Sequence, residues 1–373
     1  MKIIFFTTRY SFFNMHWQNV IKNLDIDGNE LVFVSQFDLK KVNLDIKSKH
    51  KYINIKIKRS SLNLLSILRE IISFIKILYK EKPDIVHSFY LKSSFIASIG
   101  SLLIKSKYLF FITGLGFLFN TKSIFSFIYT KLVGLFFFLS IKYNNKNCII
   151  VETDDLKSKI LKEFNLKNNK IKILPGVGID TNKYTANDHI NLNKDIQFVM
   201  ISRLVLDKGV IEYIEAAEKI SKEFKNIRFI LIGERDKDAP LRISDSQYKK
   251  LLNSSVEYKG YKNSINSELK KHNVFVLPSY HEGLSVSSME AASSGLSLLL
   301  SDITGCKEIV IEGHNGFTFK PKSTESLYLG MKKIIGNKNK LDLFGRNSRK
   351  LIIEKFSKEI IIKKMNFIYE ELK

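Results

Sequence analysis

Two short stretches carry residues whose types and spacing suit chemistry on an anionic ligand. The first is Ile201-Ser202-Arg203-Leu204-Val205-Leu206-Asp207-Lys208-Gly209, which ends an apolar run and opens a helical pattern. An arginine fork and a lysine point charge suit a diphosphate. The helix start beyond Gly209 adds partial positive charge. The competing reading is a solvated basic loop. The second stretch runs Pro278-Ser279-Tyr280-His281-Glu282-Gly283-Leu284-Ser285-Val286-Ser287-Ser288-Met289-Glu290-Ala291 and follows the apolar Val274-Phe275-Val276-Leu277. Glu282 falls in the loop above that strand, and Gly283 lets backbone amides approach a ligand closely. Glu290 lies about two turns further on, inside the next helix. Two carboxylates so spaced can accept hydrogen bonds from sugar hydroxyls. The competing reading is a capping residue and a solvated helix glutamate.

These residues need strands beneath them and helices behind them, and the sequence supplies both. Short apolar runs alternate with longer helical patterns, which predicts α/β architecture with parallel sheets. In the first half, strands are expected at Lys2–Thr7, Glu30–Ser35, from Pro83 to His87, at Tyr108–Thr113 and at Asn147–Glu152. A helix is expected at His16–Leu24. Ser61–Tyr79 is apolar on nearly every face and reads as a well-buried helix. In the second half, strands are expected at Ile196–Ser202, Ile227–Ile232, Val256–Tyr258, Val274–Leu277 and Ser297–Ser301. Helices are expected at Val210–Phe224, Ser267–His272, Ser285–Ser294 and Thr324–Ile335. Turn residues Pro175-Gly176-Val177-Gly178 followed by a polar run mark a linker. In such sheets ligands bind beyond the carboxyl ends of the strands.

Composition narrows the function classes. The 373 residues suggest two domains at about 150 residues each. A hydrophobic content of 45% excludes a disordered chain. Two cysteines, Cys148 and Cys306, exclude a disulfide framework and an all-cysteine zinc site. The 60 Lys and Arg against 37 Asp and Glu leave a net charge of +23. That charge predicts an anionic partner, although a Lys-, Ile- and Asn-rich composition accounts for part of it. Ile3–Phe6 is too short for a signal-peptide core. Ile124–Ile141 as a helix would be about 27 Å long, against a bilayer core of about 30 Å, and Lys131 lies in its middle. It reads as a buried or membrane-surface helix. Neither Asp-x-Asp triplet, at 25–27 or 236–238, follows a strand as a metal signature requires, and the second reads as a surface loop. No P-loop, nucleophile elbow or zinc spacing occurs.

At these residues the chain resembles the retaining, nucleotide-sugar-dependent glycosyltransferases of family four, with the GT-B fold. The carriers are Ser202-Arg203-Leu204…Asp207-Lys208-Gly209, the pair Glu282 and Glu290, and Gly305-Cys306-Lys307-Glu308 through Glu312-Gly313-His314-Asn315-Gly316. Closer still, it resembles bacterial N-acetylgalactosaminyltransferases that extend undecaprenyl-diphosphate-linked sugars. Arg59-Ser60-Ser61-Leu62-Asn63, Thr113-Gly114-Leu115-Gly116, Gly233-Glu234-Arg235-Asp236 and Pro278-Ser279-Tyr280…Glu282-Gly283 carry that closer resemblance.

The resemblance implies two Rossmann-like doubly wound parallel-sheet domains facing across a cleft. Residues 1–175 would form the acceptor-binding, membrane-facing domain and 176–193 the linker. Residues 194–355 would bind the nucleotide sugar, and 356–373 would be a C-terminal helix returning to the first domain. Arg203 and Lys208 would hold the donor diphosphate, with Glu282 on the donor hexose and Glu290 on the ribose. Gly283 and Leu284 would offer amides, and Gly260 and Tyr261 would lie near the base. Thr113 and Gly114 replace the family's usual His-Gly pair, which leaves His16 and His87 as substitute acceptor contacts. The implied donor is a UDP-sugar, with no metal or other cofactor. The implied partners are a lipid-diphosphate-linked acceptor and an anionic inner-membrane surface, with no nucleic acid. The implied location is cytoplasmic and peripheral to the cell membrane. Three other readings stay open: a basic nucleic-acid- or membrane-binding protein, an inactive GT-B scaffold, and a GT-B-like sugar-nucleotide epimerase.

Overall fold

The computed structural model describes residues 1–8, 10, 13, 17, 21–23, 28–37, 50–57, 63–115, 124–186, 195–235 and 241–372. The chain divides into two compact units, Met1–Val177 with Ile361–Lys373, and Gly178–Ile360. The first unit therefore runs two residues beyond the expected 175, and the rest of the described linker, 178–186, belongs to the second unit. Hydrogen bonds explain this placement. The Ile179 amide donates to the Phe356 carbonyl at 2.8 Å, and the Lys358 amide donates back to Ile179 at 2.9 Å. Lys358 Nζ also meets Asp180 at 2.8 Å.

The first unit is a seven-stranded parallel sheet. Its strands are β1 (Lys2–Thr7), β2 (Glu30–Ser35), β3 (Lys51–Asn54), β4 (Ile85–Phe89), β5 (Lys107–Ile112), β6 (Cys148–Val151) and β7 (Ile171–Ile173), in the order β3-β2-β1-β4-β5-β6-β7. A parallel sheet is covered on both faces, so its strands are continuously apolar. Side chains alternate between the faces. Phe6, Val34, Val86 and Phe110 lie under the helices Leu64–Glu81, Leu91–Gly100, Ile124–Tyr143 and Asp154–Phe164. Phe5, Phe33, Phe89 and Leu109 lie in the opposite core with Tyr10, Phe13, Trp17 and Ile21. Those four are helical, as expected around Trp17, whereas His16 and Leu24 lie outside the described residues. The helix Lys358–Glu370 adds Ile361, Met365, Ile368 and Tyr369 to the same core.

Two expectations need correction. The short strands β3 and β7 are absent from the sequence reading, because lysine within three or four residues hides the apolar pattern. The first long helix spans Leu64–Glu81 and is not well buried: Leu64, Leu65, Leu68, Ile72 and Tyr79 are exposed. No helix among the described residues is long and apolar enough to cross a membrane.

The second unit is a six-stranded parallel sheet of β8 (Ile196–Ile201), β9 (Ile227–Ile232), β10 (Val256–Tyr258), β11 (Val274–Leu277), β12 (Ser297–Ser301) and β13 (Gly316–Phe319). Its order is β10-β9-β8-β11-β12-β13. The winding reverses between β8 and β11, which pair Val274 with Phe198 and Phe275 with Val199. That reversal is the switch point at which open α/β sheets bind ligands. Helices run Val210–Glu223, Val286–Ser293 and Thr324–Gly336, close to expectation. The short one is Ile265–Leu269 rather than 267–272. Strand β13 is an addition to the sequence reading.

Burial of a titratable group gives the first unit a pH dependence. His87 lies in β4 with no exposed surface, hydrogen-bonded to Tyr369 Oη at 2.8 Å. Burial lowers its pKa from 6.5 to about 3. The unfolded chain therefore binds a proton at this ring between those values and the folded one does not, so stability is lost as pH falls below about 6.5. Replacing His87 by Gln should flatten that dependence. Urea midpoints of both proteins at about pH 7 and about pH 5 check it, the wild type losing more.

Candidate active site

The site is built at the switch point of the second unit. Beyond β8 the chain makes a single tight turn at Leu206–Lys208, then passes through Gly209 into the helix Val210–Glu223. Gly209 has φ +71°, and a Cβ there would stand 2.1 Å from the Pro278 carbonyl oxygen. Only glycine permits this turn and this approach. Beyond β11 the loop starting at Pro278 is stitched to the first loop. The Tyr280 amide donates to the Asp207 carbonyl at 2.8 Å, and Ser279 Oγ donates to the same oxygen at 3.2 Å. Tyr280 Oη donates to the Glu212 carboxylate on the helix behind. These contacts bring Lys208 Nζ to 2.6 Å from Glu282 Oε1.

The pair is largely shielded, the Lys208 and Glu282 side chains keeping 20% and 14% of their surface. A cation and a carboxylate so held are charge-assisted partners that either can exchange for a ligand group. Arg203, on the same loop, is exposed. Gly283 is exposed and Leu284 is buried. Ser285 caps the helix Val286–Ser293, its Oγ accepting from the Ser288 amide at 3.3 Å. The helix start thus faces the end of the Glu282 loop and supplies partial positive charge. The short helical turn Thr304–Lys307 after β12 closes in so tightly that a Cβ on Gly305 would stand 1.2 Å from the Gly283 carbonyl oxygen.

Glu290 projects from the Val286–Ser293 helix, partly buried, and accepts a hydrogen bond from Tyr184. Burial raises its pKa, opposed by the Tyr184 bond and the charge of Lys183. Arg349 fixes this corner by donating to the carbonyls of Tyr184 at 2.7 Å and Thr181 at 3.2 Å, and to that of Ser293. Gly260 and Tyr261 follow β10. The Gly233 amide donates to the Gly260 carbonyl at 2.9 Å, which ties this turn to the end of β9, and Tyr261 is 67% exposed. Tyr184, Glu212 and Arg349 were missed by the sequence reading, which quoted Tyr280 within the motif but gave it no role. Each acts on a distant partner, so no local spacing marks it.

The first unit treats the acceptor candidates unequally. Thr113, Gly114 and Leu115 follow the carboxyl end of β5, half-buried, with open space beside Gly114. His87 is corrected to a core group: fully enclosed by Phe5, Trp17, Phe89 and Phe111, it presents no surface to a ligand. His16 lies outside the described residues, as do 25–27, 59–62, 116 and 236–238. No group of three His, Cys, Asp or Glu that could hold a metal ion occurs among the described residues.

Comparison with known proteins bears on the family and the fold. Residues 184–351 match the family described as glycosyl transferases group 1, and residues 2–153 match the family described as glycosyl transferase 4-like. The chain is 27% identical over 289 residues to an N,N'-diacetylbacillosaminyl-diphospho-undecaprenol α-1,3-N-acetylgalactosaminyltransferase of Campylobacter jejuni, covering 74% of each. It is 26% identical over 328 residues to a UDP-Gal:α-D-GlcNAc-diphosphoundecaprenol α-1,3-galactosyltransferase of Escherichia coli, covering 83% of this chain and 80% of that one. Sucrose-phosphate synthase from Thermosynechococcus elongatus shares the fold with a TM-score of 0.80 at 16% identity, over 100% of this chain and 99% of that one. The chain belongs to the group 1 glycosyltransferases, with the GT-B fold.

The close approach of two loops sets a stability test. Gly305→Ala must push the Glu282 loop aside and should cost about 1–3 kcal/mol, read as a lower urea midpoint. Gly336→Ala, whose Cβ meets open space, should leave the midpoint unchanged or raise it.

Proposed function

We propose that the protein is a retaining glycosyltransferase that moves a sugar, an N-acetylhexosamine or a hexose, from a UDP-sugar to a lipid-diphosphate-linked saccharide at the inner membrane face. The observation that carries this reading is the Lys208–Glu282 pair at 2.6 Å, at the switch point of the second sheet. A sugar diphosphate offers each partner a replacement: phosphate oxygens for Lys208, hexose hydroxyls for Glu282. The names of the two bacterial relatives, which specify diphospho-undecaprenol acceptors and in one case UDP-Gal, support the choice of substrates.

In this reading Arg203 and Lys208 bind the diphosphate and stabilise the charge that develops as it leaves. Glu282 holds the hexose, while Gly283 and Leu284 offer backbone amides. Glu290 holds the ribose, with its orientation fixed by Tyr184. Gly260 and Tyr261 border the base. The acceptor approaches Thr113 and Gly114. The anomeric carbon–oxygen bond to the diphosphate breaks, a bond from that carbon to the acceptor oxygen forms on the same face, and the acceptor proton leaves on the departing diphosphate. No metal takes part.

Turnover tests this directly. A panel of nucleotide sugars with a lipid-diphosphate acceptor, run in EDTA, should yield one product whose anomeric configuration by NMR matches the donor. Lys208→Ala should lower kcat by about 10²–10³-fold with an unchanged circular dichroism spectrum. Wild-type turnover in that variant, or an inverted product, would overturn the assignment.

A further inference from the structure

The outward surface of the first unit's helix layer has an unusual composition. The helix Leu64–Glu81 packs on Leu91–Gly100, which packs on Ile124–Tyr143, and all three share one core. A surface helix normally turns a polar face to water. Here Ile124–Tyr143 buries Val133 and Phe137 yet leaves Ile128, Leu132, Leu135 and Phe138 between 38% and 59% exposed. On Leu64–Glu81, across the intervening helix Leu91–Gly100, Leu68 and Ile72 are 54% and 46% exposed. Apolar side chains exposed in this number on one helix layer mark an interaction face.

Charge is sorted on three of the four helices of this layer. The helices Leu91–Gly100 and Ile124–Tyr143 contain no acidic residue. Leu64–Glu81 contains Glu70 and Glu81, and both are buried and paired, with Lys92 at 2.8 Å and Lys51 at 2.8 Å. Its bases point the other way: Arg69, Lys76 and Lys80 are exposed, as is Lys142 at the end of Ile124–Tyr143. The exposed charges of these three helices are therefore bases set among apolar tips; Lys131 meets Glu163 of the neighbouring helix Asp154–Phe164 at 3.9 Å, and that helix also exposes Asp154 and Asp155.

We infer that this face is the surface by which the protein lies on an anionic lipid bilayer. An interfacial helix buries its apolar side chains at the headgroup boundary while its bases meet anionic lipids. A second copy of the chain is a poor occupant, because it would set these bases against their own kind. The inference deepens the proposed function by naming the face that meets the membrane. It rests on that reading only for which membrane is met.

Sedimentation with phosphatidylglycerol vesicles tests it, with phosphatidylcholine vesicles as the neutral control and no sugar nucleotide or acceptor present. The wild type should bind the anionic vesicles and release with salt. The triple variant Arg69→Gln, Lys76→Gln, Lys142→Gln should weaken binding about fivefold per charge removed. The triple variant Ile128→Gln, Leu135→Gln, Phe138→Gln should weaken it at least tenfold, about the loss of two buried methylenes. All these residues are exposed, and circular dichroism confirms folding. Lys222→Gln, Lys225→Gln, Lys249→Gln removes equal charge from the second unit and should change little. Equal loss in that control overturns the inference, as does a dimer by analytical ultracentrifugation that the apolar variant dissolves without any vesicle binding. Failure here with intact turnover leaves the transferase reading standing. The reverse pattern leaves the membrane face standing.

Discussion

The second unit depends on one ion pair held at one place. Lys208 and Glu282 lie 74 residues apart in sequence and 2.6 Å apart in space. They meet because the sheet reverses its winding between β8 and β11, which leaves the loops after those strands side by side. Everything around the pair serves that approach. Gly209 lets the first loop turn under Pro278, and Gly305 lets the short helix Thr304–Lys307 press on Gly283. The bonds from Tyr280 and Ser279 to Asp207 join the loops directly. A shielded pair costs desolvation that its own attraction only partly offsets. A ligand that supplies both a polyanion and hydroxyls satisfies the same groups better.

Much of this was legible in the sequence, and the reason is local. Arg203, Lys208, Glu282 and Glu290 follow short apolar strands, so the pattern that predicts β8 and β11 also places these residues at strand ends. The central strands of both sheets read clearly because a doubly covered parallel strand is apolar throughout. Edge strands β3 and β7 did not, since each has a lysine in a run of three or four residues. Contacts such as Tyr184 with Glu290, or Arg349 with the carbonyls of Tyr184 and Ser293, join distant segments. No periodicity encodes them. His87 was ambiguous for a different reason: a histidine in an apolar strand reads equally as ligand or core until burial decides.

The helix Leu64–Glu81 shows how an apolar pattern can mislead. Residues apolar on nearly every face predict burial, yet the structure buries only one side and exposes Leu68 and Ile72 on the other. The net charge of +23 gains meaning at the same place. Its acids turn inward to lysines, and its bases turn outward beside apolar tips. That sorting holds on three helices of the layer, while the fourth, Asp154–Phe164, exposes Asp154 and Asp155. In the second unit many lysines instead sit in exposed ion pairs such as Lys219 with Glu325 and Lys332 with Glu223.

If the Lys208–Glu282 pair is the resting state of a diphosphate site, then Glu282 restrains Lys208 until a sugar draws it away. The direct measurement is the affinity of UDP, which carries the diphosphate without the hexose, for the wild type and for Glu282→Gln by calorimetry. The account predicts tighter UDP binding in Glu282→Gln, by about tenfold for about 1.4 kcal/mol of released attraction, together with a loss of sugar transfer. Weaker UDP binding in Glu282→Gln, or an affinity that does not change, would contradict it.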